Sequence, residues 1–213
     1  DEPSQLAFES IMVHEIGHFI NLDHSVVNHE LAGDGNLAND AYIPTMYPLV
    51  VDDEEAITSL NPDDQAAVAR LYPAAGFAAS TGGISGSVLL QGAPFQGADV
   101  VVRRTDQPLL YAYSGISGAR FFPCNVGGEC YPCGIGSSCA PGNPAAQGEY
   151  SITGITSGSY RVCIEQIDTR ISLAHGTFVG PGDPPETIPG PEECYNTGES
   201  TSDDPDLLTA QTV

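Results

Sequence analysis

Lysine is missing from this 213-residue chain, and six arginines stand against 28 aspartates and glutamates, for a formal charge of −22. A surface so acidic repels phosphate backbones and anionic lipid headgroups, which argues against nucleic acid and acidic membranes as partners. It suits calcium, cationic substrates, or solubility in salty surroundings. No apolar run reaches the eighteen or so residues needed to cross a bilayer, and no Asn-x-Ser/Thr acceptor for N-linked sugar occurs. Cysteine is absent from the first 123 residues, and all six follow. No secretion leader is visible. The chain opens at DEPSQLAF, almost on its most informative segment, and closes on LLTAQTV. Both ends are expected to be boundaries of a fragment.

The informative segment is HEIGHFINLDH, from His14 to His24. His14 and His18 are four residues apart, so on a helix both imidazoles project from one face at adjacent turns. Leu6, Ala7 and Ile11 share that spacing, which predicts a helix from Pro3 to about Ile20 with the histidines extending its buried face. His24 follows six residues after His18, past an expected break in the helix, and can close a third side of a tetrahedral site. Three neutral imidazoles leave the fourth zinc position open, which separates a catalytic site from a closed structural one. Glu15, beside the first ligand, is placed to take a proton from water there.

With Met46-Tyr47-Pro48 downstream, this stretch resembles the metzincin zinc endopeptidases, and within them the matrixin-like branch. The resemblance covers residues 1–75 and implies the C-terminal half of such a catalytic domain. It implies His14, His18 and His24 as zinc ligands, Glu15 as general base, and Met46 as an apolar floor beneath the imidazoles. Protein or peptide would be the substrate. It also places a substrate-pairing sheet before the active-site helix. Asn21 stands where the family has glycine; Asn tolerates the left-handed conformation that such a turn requires. Met46 follows His24 by 22 positions, a longer gap than the family usually has, and an inserted loop is expected there. Within it, Asp34, Asn36, Asn39 and Asp40 form a candidate calcium loop, although the full helix-loop-helix calcium pattern is lacking; an acidic surface loop is the plainer expectation. Asn61 is expected to cap a second helix, with Pro62 at its first position and Asp63 and Asp64 complementing its dipole, and Tyr72-Pro73 ending it.

Residues 76–83, within AAGFAASTGG, read as a small-residue linker. Beyond it, ISGSVLLQ, DVVVRRT, EYSITGI, SYRVCIEQ, ISLAHGTFV and DLLTAQTV alternate as short strands between glycine turns, which predicts a β-sandwich over 84–213. The stretches GSVLLQGAPFQGADVVVRR and GEYSITGITSGSYRVCIEQ resemble carboxypeptidase regulatory-like and collagen-adhesin B-type repeats, which implies a transthyretin-like sandwich. Without lysine, the lysine–asparagine cross-link of some adhesin repeats is excluded. Disulfides are the available staple.

Cys124, Cys130, Cys133 and Cys139 crowd into sixteen residues. Cys130 and Cys133 form a C-x-x-C pair that also admits a zinc reading, but the overall spacing matches no common zinc module. Likeness to secreted proteases implies disulfides and an oxidising, extracellular compartment, with Cys163 and Cys194 as the third bridge. His29 and His175 lie outside the motif and are taken as surface or packing residues. The expectation is therefore an α+β chain, a secreted zinc endopeptidase with an accessory β-sandwich. The competing expectation is an acidic extracellular structural or adhesive module with a relic zinc site.

Overall fold

A 15-residue helix, α1 (Gln5–Phe19), carries the first two histidines. It stops where the sequence expects it to, because Asn21 turns into the left-handed region at φ 68°. The N–H groups of Asn21 and Leu22 then fold back onto the carbonyls of His18 and Gly17, each at 2.9 Å. The Tyr72 hydroxyl adds a bond to the Ile20 carbonyl at 3.0 Å. The computed structural model describes residues 5–25, 27–32, 34–49, 51, 56–95, 98–118, 129–130, 134–135, 148–165, 193–196 and 210–213.

One expectation about α1 needs correction. Leu6 and Ile11, expected on its buried face, are exposed, as are Phe8, Met12, Ile16 and Phe19, the last at 88%. The reason is that α1 is apolar on more than one side, while its described neighbours cover only the strip holding Ser10, Gly17 and the histidines. The stretch between His24 and Met46 holds short 3₁₀ turns at His29–Leu31 and Leu37–Tyr42. Helix α2 (Pro62–Leu71) begins as expected, with Asn61 at its cap and Asp64 reaching back to accept the Asn61 N–H at 3.1 Å. The stretch read as a linker holds a one-turn helix, α3 (Phe77–Ser80), and the start of the first strand.

Antiparallel strands follow. β1 (Gly82–Ser87) pairs with β8 (Glu149–Ile155), and β2 (Leu89–Leu90) with β3 (Ala93–Pro94). β6 (Glu129–Cys130) pairs with β7 (Gly134–Ile135). A four-stranded sheet runs in the order β10 (Glu193–Cys194), β9 (Tyr160–Glu165), β4 (Asp99–Arg104) and β5 (Ala112–Ile116). Helices and antiparallel sheets together make the chain α+β, as expected. Val100, Val101 and Val102 are wholly buried, because β4 is central and covered on both faces. Val100, Val102, Tyr113, Ile152, Ile155 and Val162 form one core between the β1–β8 pair and the larger sheet. Ala66 of α2 belongs to that same core, so the helical and β portions share buried apolar surface.

β5 falls outside the strands expected from the sequence, since in AYSGI the strand formers Tyr113 and Ile116 are separated by Ser114 and Gly115. Its glycine has a packing reason: a Cβ at Gly115 would lie 2.9 Å from Ile152. The Cys163–Cys194 disulfide is present, joining directly paired positions of β9 and β10. Cys124, Cys133, Cys139, His175 and the strand expected at 171–179 lie outside the described residues, as do positions 206–209 of the last expected strand. At the end of that strand, Val213 exchanges two backbone hydrogen bonds with Tyr160.

Candidate metal centre

Spacing on α1 brings the Nε2 atoms of His14 and His18 to 3.0 Å, and the turn at Asn21 swings His24 Nε2 to 3.1 Å from that of His18. All three rings are half-buried. Two nitrogens bound to one tetrahedral zinc at about 2.0–2.1 Å stand roughly 3.3 Å apart, so the observed spacing is close to that of a zinc site. Among the described residues, these three histidines form the one group of three or more potential ligands close enough to share an ion.

Protonation strengthens the fit. His14 Nδ1 lies 2.9 Å from the Thr45 carbonyl, and His18 Nδ1 lies 3.0 Å from the Leu22 carbonyl. A carbonyl only accepts, so each Nδ1 carries the proton and each Nε2 turns a lone pair inward. Converging lone pairs repel one another unless a cation or a proton sits between them. The donor set, neutral imidazole nitrogen, suits zinc along with copper, iron and nickel. The residues therefore fit the metal that the motif implies.

Met46 is buried behind the ligand helix. A Cβ added at Gly17, between the two helical histidines, would collide with the Met46 sulfur and stand 3.0 Å from its methyl carbon. The sequence reading overlooked this role for Gly17. Glu15 is exposed on α1, one residue from His14, where solvent reaches it.

Behind the Met46 turn lies a buried acidic hub that sequence reasoning assigned only to the helix dipole. Asp64 accepts the N–H groups of Thr45 at 2.8 Å and Met46 at 3.2 Å. Asp63 accepts the Ser25 hydroxyl at 2.6 Å, directly after the third ligand, and the Ser114 N–H of β5 at 2.9 Å. Burial raises the pKa of Asp63, opposed by the bonds from Ser25 and Ser114. Asp64 is pushed up to about 7, by burial first and by the Asp63 charge second, with its three N–H partners pulling the other way. Two adjacent acidic residues in the first turn of a helix give no hint of such burial.

The candidate calcium loop is arranged differently. The Asp34 carboxylate accepts the Asn36 N–H at 2.6 Å and the Asn39 amide at 2.9 Å. These bonds lower its pKa, the Asn39 bond most. Asp40 is buried, whereas Asp34 and Asn36 are exposed. His29 lies 3.7 Å from Glu30, outside the histidine cluster. No protein-family model, curated protein or solved structure matches the chain.

Proposed function

We propose that the chain is part of a secreted zinc endopeptidase, with the β layers as a transthyretin-like accessory unit. The observation that carries this reading is the convergence of three Nε2 atoms, on two rings of which Nδ1 faces a backbone carbonyl. A bound zinc ion supplies a Lewis acid that acidifies water and polarises a peptide carbonyl. Glu15 accepts the proton released by the attacking water and returns it to the leaving amine. Thr45 and Leu22 hold two imidazoles in the ligating tautomer throughout. Met46 and Gly17 set the depth of the ligand helix by direct packing. The buried Cys163–Cys194 bridge supports an oxidising compartment, and the net charge of −22 supports protein over nucleic acid as substrate.

A second reading, an acidic structural or adhesive module with a relic zinc site, draws on one observation. The described neighbours of α1 leave Phe8, Ile16 and Phe19 uncovered, and no described strand runs beside the histidines to orient a peptide. Productive chemistry needs a positioned substrate as well as a metal. The endopeptidase reading answers that the exposed face is where further protein packs.

The two readings separate on turnover. An endopeptidase binds one zinc per chain and cleaves an unstructured protein in a chelator-sensitive manner, and Glu15→Ala abolishes cleavage while keeping the metal. Tight zinc with no cleavage, in protein that includes any segment packed on α1, selects the structural module.

A further inference from the structure

The residues that follow His24 are fastened to the β-sheet as well as to helix α2. Ser25 donates its hydroxyl to Asp63, whose other oxygen takes the Ser114 N–H of β5. Val27 is buried in a cluster with Val101 of β4 and Ala112 of β5. Asn28, fully buried and left-handed at φ 59°, donates its amide to the carbonyls of Tyr42 at 2.7 Å and Leu109 at 3.0 Å. Its side-chain oxygen accepts from Arg103 Nη1 of β4 at 2.6 Å. Arg103 is itself clamped by Glu165 of β9, through paired bonds of 2.7 and 2.9 Å. Thus a hydrogen bond, an apolar peg and a buried guanidinium hold three of the four positions after the third ligand.

We propose that the β-sheet is a positioning element of the metal centre: Ser114 of β5 and Arg103 of β4 act through Asp63 and Asn28 to hold the strap that carries His24. His14 and His18 are fixed by their own helix. His24 is not, because it leaves α1 through the Asn21 turn; its place is set from both sides, by Leu22, bonded to Gly17 and His18, and by the strap downstream. A third ligand free to swing would cost the site one of its three bonds. The sheet removes that freedom before any metal arrives, which is preorganisation. This inference rests on the metal-site half of the reading above and is independent of catalysis.

The test is zinc affinity by chelator competition, with the visible spectrum of the cobalt(II)-substituted full chain as a reporter of ligand geometry. Three alterations loosen the strap without touching a ligand. Ser25→Ala removes the hydroxyl, and Asn28→Gly removes the amide while tolerating the left-handed backbone. Arg103→Met with Glu165→Gln removes the buried ion pair together, so that neither charge is left uncompensated. Each is expected to weaken zinc binding about tenfold or more, as loss of supporting partners around a metal does, and to change the cobalt spectrum. Ser25→Thr, which keeps the hydroxyl, is expected to restore both. Combining Asn28→Gly with the Arg103–Glu165 pair is expected to cost little beyond either alone.

Affinity and spectrum matching the parent, in variants with the parent's cooperative melt, would overturn the proposal. Should Asn28→Gly or the paired variant fail to fold, Ser25→Ala and Ser25→Thr decide it. Weakened zinc in the variants of a chain that cleaves nothing would uphold this inference and remove the endopeptidase reading. Intact zinc in the variants of an active protease would do the reverse.

Discussion

Asp63 and Asp64 are neighbours in the first turn of α2, yet their carboxylates serve different halves of the histidine cluster. Asp64 holds the Thr45–Met46 turn, whose Thr45 carbonyl orients His14. Asp63 holds Ser25, the residue after His24. Successive helix positions project about 100° apart, so two adjacent acids can reach two separate segments. One helix turn thereby ties together the ligand helix, the methionine turn and the strap of the third ligand.

Removing the Asp64 carboxylate should be severe. In Asp64→Ala the buried N–H groups of Thr45, Met46 and Asn61 lose their acceptor, and each orphaned donor costs about 1–3 kcal/mol. Urea unfolding should show a loss at the upper end of that range or beyond, with zinc affinity falling in parallel. Asp64→Asn, which keeps one oxygen, should lose less.

Gly17 is set by the sulfur opposite it. Gly17→Ala overpacks the Gly17–Met46 contact and should cost about 1–3 kcal/mol. Met46→Ala makes room at the price of a cavity, so the double variant should be more stable than the two separate losses would add to. A double-mutant cycle by thermal melting measures that coupling. Met46→Leu should be tolerated better than replacement of any of the three histidines.

Asp99 gives the stability a pH dependence. Burial holds its carboxyl well above the ordinary value of 3.8, the Glu165 and Asp63 charges push it further, and Arg103 opposes them. The folded state therefore prefers the protonated acid. No penalty exists at low pH, where folded and unfolded forms both keep the proton. A penalty grows as pH rises above 3.8 toward the folded value. Asp99→Asn removes the ionisation, so it should raise the melting temperature at pH 8 and change it far less at pH 4. Equal shifts at both pH values would refute the assignment.

The Cys163–Cys194 bridge closes a loop with a sequence separation of 31. Replacing both cysteines with alanine should destabilise the sheet by about 2–4 kcal/mol. Zinc affinity should fall less than in the strap variants, because β10 lies at the far edge of the sheet from β5. Chemical denaturation and chelator competition on the same protein separate the two effects.

What the sequence made legible was local. The i, i+4 histidines, the Asn21 turn and the Asn61–Pro62 helix start each depend on residues within a few positions of one another, and each formed as read. β4, β8 and β9 were likewise legible from their apolar or alternating patterns. Long-range pairs were not. Asn28 and Arg103 are 75 residues apart, and Ser25 and Asp63 are 38 apart, and no periodicity links either pair. β5 escaped notice because close sheet packing selects Gly115 over a strand-forming residue. The buried face assigned to α1 failed for a different reason: periodicity identifies an apolar stripe but not the neighbour that covers it.

Anomalous scattering at the zinc absorption edge, from crystals of the zinc-loaded chain, tests the three-histidine site most directly. A single peak bonded to Nε2 of His14, His18 and His24 at about 2.0–2.1 Å is the expected result. A peak elsewhere, or a zinc-saturated chain in which the His24 ring points away from the other two, would contradict it.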